Sequence, residues 1–191
     1  LINGVDIREY DLSSLRKTVS VLFQDYPVYA FSIRENLTLG EEISDEKIMA
    51  ALERVGLLGK IMSFPQGLDT PITNQLYEGG IEFSGGETQR LALARALLRE
   101  SDVYIFDEAT NNVDRESEEI ILKIMKRLAK DKIVIFITHR MAHCKESHLT
   151  FVMKEGRLIQ QGSYEELFNQ ANLFRELVEN QKNLERIIEN E

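Results

Sequence analysis

The sequence is poor in cysteine and contains no long apolar run. Among its 191 residues there is one cysteine, Cys144, which cannot form a disulfide within the chain and therefore favours a reducing compartment. No apolar run approaches the roughly 20 residues of a membrane-spanning helix, and no signal peptide opens the sequence. If the protein serves a membrane, we expect the spanning part to lie outside this segment.

Positive charge is also scarce. Lys and Arg number 23 against 32 Asp and Glu, which gives a formal net charge of −9. Because binding to nucleic acid depends on cations that contact phosphates, this balance argues against nucleic-acid binding as the main activity. The length is enough for one domain with a sizeable core, although two lobes would fit.

A third absence concerns phosphate chemistry. Binding a triphosphate through backbone amides and a lysine requires a G-x-x-x-x-G-K-[ST] loop, and this pattern occurs nowhere in the chain. Any nucleotide site that uses this chain must therefore draw on other motifs.

One such motif is a glycine turn before a helix in the middle of the chain. Ser84, Gly85 and Gly86 precede apolar residues at helical spacing, including Leu91 and Ala94. The free N–H groups and the dipole at a helix start favour an anion, and glycine lets a ligand approach the backbone. The plainer alternative is that Ser84 is an ordinary N-cap.

Two acids follow the next predicted strand. The run 103–106, VYIF, is typical of a central parallel strand buried on both faces, and Asp107 and Glu108 come at its carboxyl end, where open α/β sheets bind ligands. Adjacent strand residues point to opposite sides, so the two carboxylates would have different roles. Asp107 suits a magnesium shell, and Glu108 suits a water that attacks phosphate. The alternative is a strand that leaves the core through two solvated acids.

Together with His139 after another apolar strand, these motifs resemble the ATP-binding domain of ABC transporters. The implied fold is α/β, with a P-loop NTPase-like, mostly parallel sheet core flanked by helices, an inserted helical subdomain and an incomplete N-terminus. Residues 83–87 correspond to the family's LSGGQ signature, with Phe83 for Leu and Glu87 for Gln. Residues 103–108 correspond to the Walker B strand and the catalytic glutamate, Glu108.

The resemblance assigns further site residues. Gln24 follows a predicted strand at 19–23 and matches the Q-loop glutamine, which binds Mg²⁺ and the attacking water. His139 matches the H-loop histidine that contacts the γ-phosphate, and Asp114 matches the acid of the D-loop, although it also suits a helix N-cap. The resemblance thus implies a set of nucleotide contacts and a set of Mg²⁺ ligands, the latter acting largely through water. The nucleotide contacts are Gln24, Phe83, Ser84, Gly85, Gly86, Glu87, Asp107 and Asp114, and the metal ligands are Gln24 and Asp107.

The loop after Gln24 and the segment before the signature point to a membrane partner. The phrase FSIREN is typical of exporters, and Tyr26, Pro27, Tyr29 and Phe31 would lie near the groove for a coupling helix. A partly buried aromatic loop is the alternative. Glu78 stands where exporters carry an acid that contacts the membrane domain, although Tyr77 replaces the usual preceding glycine.

We expect a single partial domain over 1–191. Its parts are a core at 1–24, a Q-loop, helical subdomain and signature helix at 25–97, a core with Walker B, D-loop and H-loop at 98–170, and a C-terminal helix at 171–191. Short helices are predicted from Ser44 to Val55, with Ser44 as the cap, and from Leu57 to Ser63.

The C-terminal part is predicted to be structural. A hairpin is expected over residues 149–161, and Ser163 with Glu166 forms a capping box. The final helix should run from Leu173 to Ile188, with Phe174, Leu177 and Leu184 on one face.

In this family two such domains pair head to tail around ATP and Mg²⁺, and each signature serves the partner's nucleotide. The resemblance therefore implies an exporter energised by ATP hydrolysis, at the cytoplasmic face of the cell membrane, with a second ATP-binding domain and a transmembrane domain as partners. The missing lysine loop indicates an N-terminal truncation, and the chain alone is expected to be inactive. Two alternatives stay open: a soluble ABC ATPase of translation or DNA repair, and a non-catalytic half-site that supplies only a signature.

Overall fold

A computed structural model describes residues 1–73 and 80–188, apart from the side chains at 184, 185, 187 and 188. The helices are α1 Leu12–Thr18, α2 Ile33–Thr38, α3 Asp45–Arg54, α4 Leu58–Met62, α5 Gly85–Leu98, α6 Arg115–Leu128, α7 Tyr164–Phe168 and α8 Leu173–Ile188. The strands are β1 Val19–Leu22, β2 Val103–Asp107, β3 Ile133–Ile137, β4 Thr150–Lys154 and β5 Arg157–Gly162, and 3₁₀ turns occur at Ile7–Glu9, Gly67–Asp69 and Met141–Glu146. The chain forms two compact units, 1–137 and 138–191.

A parallel sheet of order β1-β2-β3 forms the centre of the first unit. Its buried face carries Leu22, Tyr104 and Phe106, which belong to the same core as the apolar side chains of α5 and α6. In α6 the buried residues Ile121, Ile124, Met125 and Leu128 recur every three or four positions, so this helix buries one face. The amphipathic pattern predicted for α5 is wrong, because residues 89–94 are all buried and the helix is enclosed on all sides. The sheet thereby brings the carboxyl ends of its strands to one edge.

The prediction of burial on both faces is wrong for β2, and the neighbouring strands are also more exposed on one side. In β2 the side chains alternate between buried and half-buried, and in β3 Ile133, Ile135 and Ile137 are 62%, 48% and 50% exposed. In β1 the buried residues are Ser20 and Leu22, whereas Val19 and Val21 are half-buried and Phe23 is exposed. Apolar composition alone did not reveal this difference, because in β2 and β3 both faces carry β-branched or aromatic side chains.

Short helices precede α5, as the pattern predicts. Ile48, Ala51 and Leu52 of α3 are buried, and Gly56 adopts a φ of 70° just after the helix, a conformation that glycine allows at a C-terminus. Ser44 is the N-cap residue, but its side chain makes no capping hydrogen bond, contrary to the predicted cap. The acids of the first turn, Asp45 and Glu46, still suit the helix dipole.

The second unit contains the predicted hairpin, with β4 antiparallel to β5 and a turn at Glu155 and Gly156, both at positive φ. Ser163 and Glu166 form the capping box of α7. Among the described side chains of α8, Phe174 and Val178 are buried, whereas Leu177, predicted to share an apolar face with Phe174, is 40% exposed. The predicted contribution of Leu184 lies outside the described residues.

Across residues 1–73 and 80–188, no helix combines the length and the apolar character that a bilayer crossing demands.

Candidate functional site

The signature turn begins α5 and is closed by a capping box. Ser84 is the N-cap; its Oγ accepts from the Glu87 amide at 3.3 Å, and the Ser84 amide donates to Glu87 Oε2 at 3.0 Å. The N-cap interpretation is therefore confirmed. It is compatible with anion binding, because the capping box leaves other first-turn amides, such as those of Gly85 and Gly86, without intrahelical acceptors.

The two glycines of the turn have different surroundings. Gly85 is exposed, and a Cβ built there would meet no atom within 4 Å. Gly86 is buried, and its Cβ would overlap Asp114 Oδ2 and lie 2.5 Å from Ser117 Oγ. Gly85 thus leaves open space for a ligand, whereas Gly86 allows α5 to pack against the start of α6.

Glu87 is paired with a lysine that the sequence analysis did not identify. Lys60 Nζ of α4 lies 2.7 Å from both carboxylate oxygens of Glu87 and 5.5 Å from the centre of the Phe83 ring. Burial by itself raises the pKa of Glu87, but the Lys60 ammonium and the Ser84 amide outweigh it and lower the pKa below its ordinary value. The signature carboxylate is therefore ionised near neutral pH.

The acidic end of β2 differs in one respect from the predicted strand. Asp107 is the last strand residue and is paired with Ile137 of β3, but Glu108 lies beyond the strand with a φ of 51°. The Glu108 amide still donates to the Ile137 carbonyl at 3.0 Å. The two acids are therefore separated by a change of backbone conformation and not by strand alternation.

Asn111 contacts the predicted catalytic carboxylate. Its Nδ2 donates to Glu108 Oε2 at 2.5 Å, and its amide donates to the Glu108 carbonyl at 3.0 Å. The left-handed conformation of Glu108 closes a short turn that makes both bonds available. No sequence motif indicates this role of Asn111, because the contact depends on that turn.

Asp114 is the N-cap of α6, as predicted. Its carboxylate accepts from the Ser117 amide at 2.8 Å and from Ser117 Oγ at 2.9 Å. These bonds lower the pKa of Asp114.

Two contacts join the signature helix to the loop after β2. The buried Gln89 side chain donates from Nε2 to the Ala109 carbonyl, directly after Glu108. One turn earlier, Gly86 packs against Asp114 and Ser117. Within the first unit, one contiguous region therefore contains the signature residues 84–87 and three acids, Asp107, Glu108 and Asp114.

Gln24 is exposed two residues after β1, in the loop that leads to α2. Two residues farther on, the Tyr26 hydroxyl is 3.5 Å from the Gly85 carbonyl, at the outer limit of a hydrogen bond. This places the loop that follows Gln24 beside the signature turn.

The aromatic part of that loop is fixed by a buried asparagine. Asn36 Oδ1 accepts from the Tyr29 amide at 2.8 Å, and its Nδ2 donates to the Tyr29 and Ser32 carbonyls. Arg95 of α5 donates to the Asn36 and Pro27 carbonyls at 2.6 and 3.1 Å, and burial lowers its pKa. The loop is thereby attached to the signature helix through Arg95.

The rings of Tyr29 and Phe31 stack with their centres 6.2 Å apart. Tyr29 exposes 41% of its surface and Phe31 exposes 52%. They form an apolar surface next to α2, which begins with a capping box of Ser32 and Glu35. An exposed aromatic pair on a hydrogen-bonded loop has the composition of a protein-binding surface.

Two predicted residues are not among those of the first unit that the structure describes. His139 belongs to the second unit, two residues after β3, and is exposed. Glu78 and the neighbouring Tyr77 lie outside the described residues. Among the side chains that the structure describes, no group of three or more His, Cys, Asp or Glu residues is arranged to hold a metal ion by itself. This does not disfavour Mg²⁺, which protein sites often bind through one or two carboxylates together with phosphate oxygens and water.

Comparisons with known proteins agree with these motifs. The family model described as "ABC transporter" matches residues 1–111. The chain is 40% identical over 190 residues to an uncharacterised ABC transporter ATP-binding protein of Haemophilus influenzae, covering 99% of this chain and 33% of that protein. It is 38% identical over 189 residues to the mitochondrial iron-sulfur clusters transporter ATM1 of Candida glabrata, covering 97% of this chain and 25% of that protein.

A solved structure of a bacterial Atm1-family ABC exporter with ATP bound has a TM-score of 0.84 and 33% sequence identity, covering 95% of this chain and 32% of that one. The chain thus spans a third or less of the length of these relatives. The match confirms the P-loop NTPase-like α/β fold that the motifs predicted. Since the family model matches more than half of the residues, the chain belongs to the ABC transporter family, as an ATP-binding domain of the exporter type.

Proposed function

We propose that this chain supplies the ATP-binding and ATP-hydrolysing domain of an exporter, and that two such domains pair head to tail around two ATP molecules. One observation carries the proposal. The same unit contains a signature turn at the start of α5 and two acids at the end of the central parallel strand. Hydrolysis would release the pair and drive transport by a membrane domain.

The acids serve the nucleotide of their own domain. Asp107 and Gln24 would hold Mg²⁺, largely through water, and Glu108 would orient and deprotonate the attacking water. Asn111 keeps the Glu108 carboxylate in one orientation through the hydrogen bond from its side-chain Nδ2. His139 contacts the γ-phosphate.

The signature serves the partner's nucleotide. The phosphates would meet a helix start with free amides, which is formed by the signature residues Phe83, Ser84, Gly85, Gly86 and Glu87. The open space beside Gly85 supports a close approach. Asp114 lies at the same interface and holds the start of α6 against this turn.

The membrane domain docks on the Tyr29 and Phe31 surface, with Glu78 as a further contact. Arg95 and Asn36 fix this surface to α5, the helix whose first turn is the signature. A change at the nucleotide would therefore reach the docking surface through one rigid helix. As in the family's arrangement, the domain would lie on the cytoplasmic face of the cell membrane.

The test is Glu108→Gln in the intact transporter. We expect turnover to fall about 100-fold or more, because the water loses its general base. ATP binding should persist, so an ATP-bound dimer should accumulate and be visible by size-exclusion chromatography. Glu53→Gln, on the exposed side of α3, is the control and should hydrolyse ATP normally. Normal turnover in Glu108→Gln would show that another group is the catalytic base.

The lack of a lysine phosphate loop leads to a second measurement. The 191 residues alone are expected to hydrolyse no ATP above background. If the intact protein also failed to hydrolyse ATP but still supported a partner domain, the half-site alternative would replace the catalytic one. Appreciable hydrolysis by the pure 191-residue chain would contradict the proposed need for such a loop.

A further inference from the structure

Glu87 brings a negative charge to the turn that is proposed to receive phosphate. The signature to which residues 83–87 correspond has a neutral glutamine at this position. A carboxylate at a helix start stabilises the helix dipole, but it also repels an approaching polyphosphate. The turn therefore needs a compensating charge if it is to bind an anion.

Lys60 is placed to provide that charge. Its Nζ is 2.7 Å from each oxygen of Glu87, and 18% of the Glu87 side chain is exposed against 40% for Lys60. Such a partly buried pair with two contacts is screened less than an exposed pair. The ammonium also lies over the Phe83 ring, so it contacts two of the five signature residues.

The same contact orients the carboxylate. Glu87 Oε2 accepts from both Lys60 Nζ, at 2.7 Å, and the Ser84 amide, at 3.0 Å. The charge of Glu87 is thus directed toward α4 and the cap. The amides of Gly85 and Gly86 remain for a ligand.

We propose that Lys60 is a positioning residue of the signature site, which neutralises and orients Glu87 so that the turn accepts the phosphates of a partner's nucleotide. The inference rests on the proposed function of the signature. It adds a residue of α4, outside the motif, to the groups that determine ATP affinity.

The experiment uses the intact transporter with Lys60→Gln and Lys60→Arg. For Lys60→Gln we expect the ATP concentration for half-maximal turnover to rise about three- to tenfold with kcat little changed, because the uncompensated charge of Glu87 opposes phosphate binding. Lys60→Arg keeps the positive charge and should behave like the unmodified protein. Adding Glu87→Gln to Lys60→Gln should restore most of the lost affinity.

A readout independent of turnover uses the Glu108→Gln background. There, the ATP concentration that gives half of the trapped dimer should rise by the same factor for Lys60→Gln and fall again with Glu87→Gln. Lys47→Gln is the control, since Lys47 forms an exposed ion pair with Glu100 at 3.0 Å, and its loss should leave both values unchanged. Melting temperatures without nucleotide show whether the variants remain folded.

Two outcomes would overturn the inference. One is an unchanged ATP dependence in Lys60→Gln. The other is a loss that Glu87→Gln does not restore, because Lys60 would then act only by packing against Phe83. Failure of the proposed function itself is distinguishable, because it would appear as normal turnover in Glu108→Gln with Lys60 unmodified.

Discussion

The turn at Phe83–Glu87 and the loop at Asp107–Asn111 are stabilised by different kinds of contact. The turn is closed by a capping box between residues three apart, Ser84 and Glu87. The loop is held by a backbone bond from Glu108 to β3 and by the side chain of Gln89 from α5. The turn is therefore closed by a local motif, whereas the loop depends also on the assembled sheet and helices.

The two regions nevertheless depend on each other. Gln89 and Gly86, one turn apart on α5, contact the loop after β2 and the start of α6 respectively. The signature turn is thus formed locally but positioned by α6. Substitutions of Gly86 and Gly85 can test whether the position of the turn depends on α6 while its formation does not.

Gly86→Ala should have the largest structural effect. Its methyl group would overlap Asp114 Oδ2 and come 2.5 Å from Ser117 Oγ, so either the Asp114 cap and Ser117 or the two helices must shift. Overpacking of this kind costs about 2 kcal/mol of the free energy of unfolding. Chemical unfolding measures the loss, and hydrogen exchange of the first turn of α6 should become faster.

Gly85→Ala is the matched control, because its methyl group meets no atom within 4 Å. Stability should change by less than about 1 kcal/mol, since alanine favours the helix. ATP-driven dimerisation should still weaken if the open space receives phosphate. Equal losses of stability in the two variants would show that the glycines do not differ in the proposed way.

The sequence was informative where structure is local. The caps at Ser84 and Asp114, the capping box at Ser163 and the hairpin of β4 and β5 all follow from short patterns, and the structure confirms them. The family motifs predicted the fold and the acids at the end of β2 in the same way.

Contacts between distant residues were not predictable by the same means. Lys60 and Glu87 are 27 residues apart, and Gln89 and Ala109 are 20 apart, so no periodicity links them. The exposed side of β3 was missed for a related reason: Ile133, Ile135 and Ile137 have the composition of a buried strand. Burial depends on what packs on each face, which the strand itself does not encode.

The acidic loop should be the more sensitive region in catalysis. In the intact transporter, Asn111→Ala removes the 2.5 Å bond from Nδ2 to Glu108 Oε2 and lets the carboxylate rotate away from the water. We expect kcat to fall about tenfold with little change in the ATP concentration for half-maximal turnover, because misplacing a catalytic group affects the reacting state more than binding.

Asn112→Gly is the control for Asn111→Ala. Asn112 is exposed with a φ of 55°, a conformation that glycine adopts freely, so its kcat should be nearly normal. An equal fall in both variants would mean that the loop as a whole, and not the Asn111 amide, supports Glu108.

The smallest expected effect concerns the pH dependence of the signature turn. The pKa of Glu87 is below its ordinary value of 4.5 in the folded chain, because Lys60 and Ser84 outweigh the effect of burial. A lowered carboxyl pKa contributes stability that is complete above about pH 4.5 and is lost as the pH falls through the folded-state pKa. Wild type should therefore exceed Glu87→Gln in the free energy of unfolding near neutrality, and the difference should shrink in acid as Glu87 is protonated.

Glu166→Gln is the matched comparison, because Glu166 caps Ser163 in the same way. If the ion pair with Lys60 adds to the cap, the acid-dependent difference is larger at Glu87 than at Glu166; equal differences would mean that the cap alone stabilises this carboxylate.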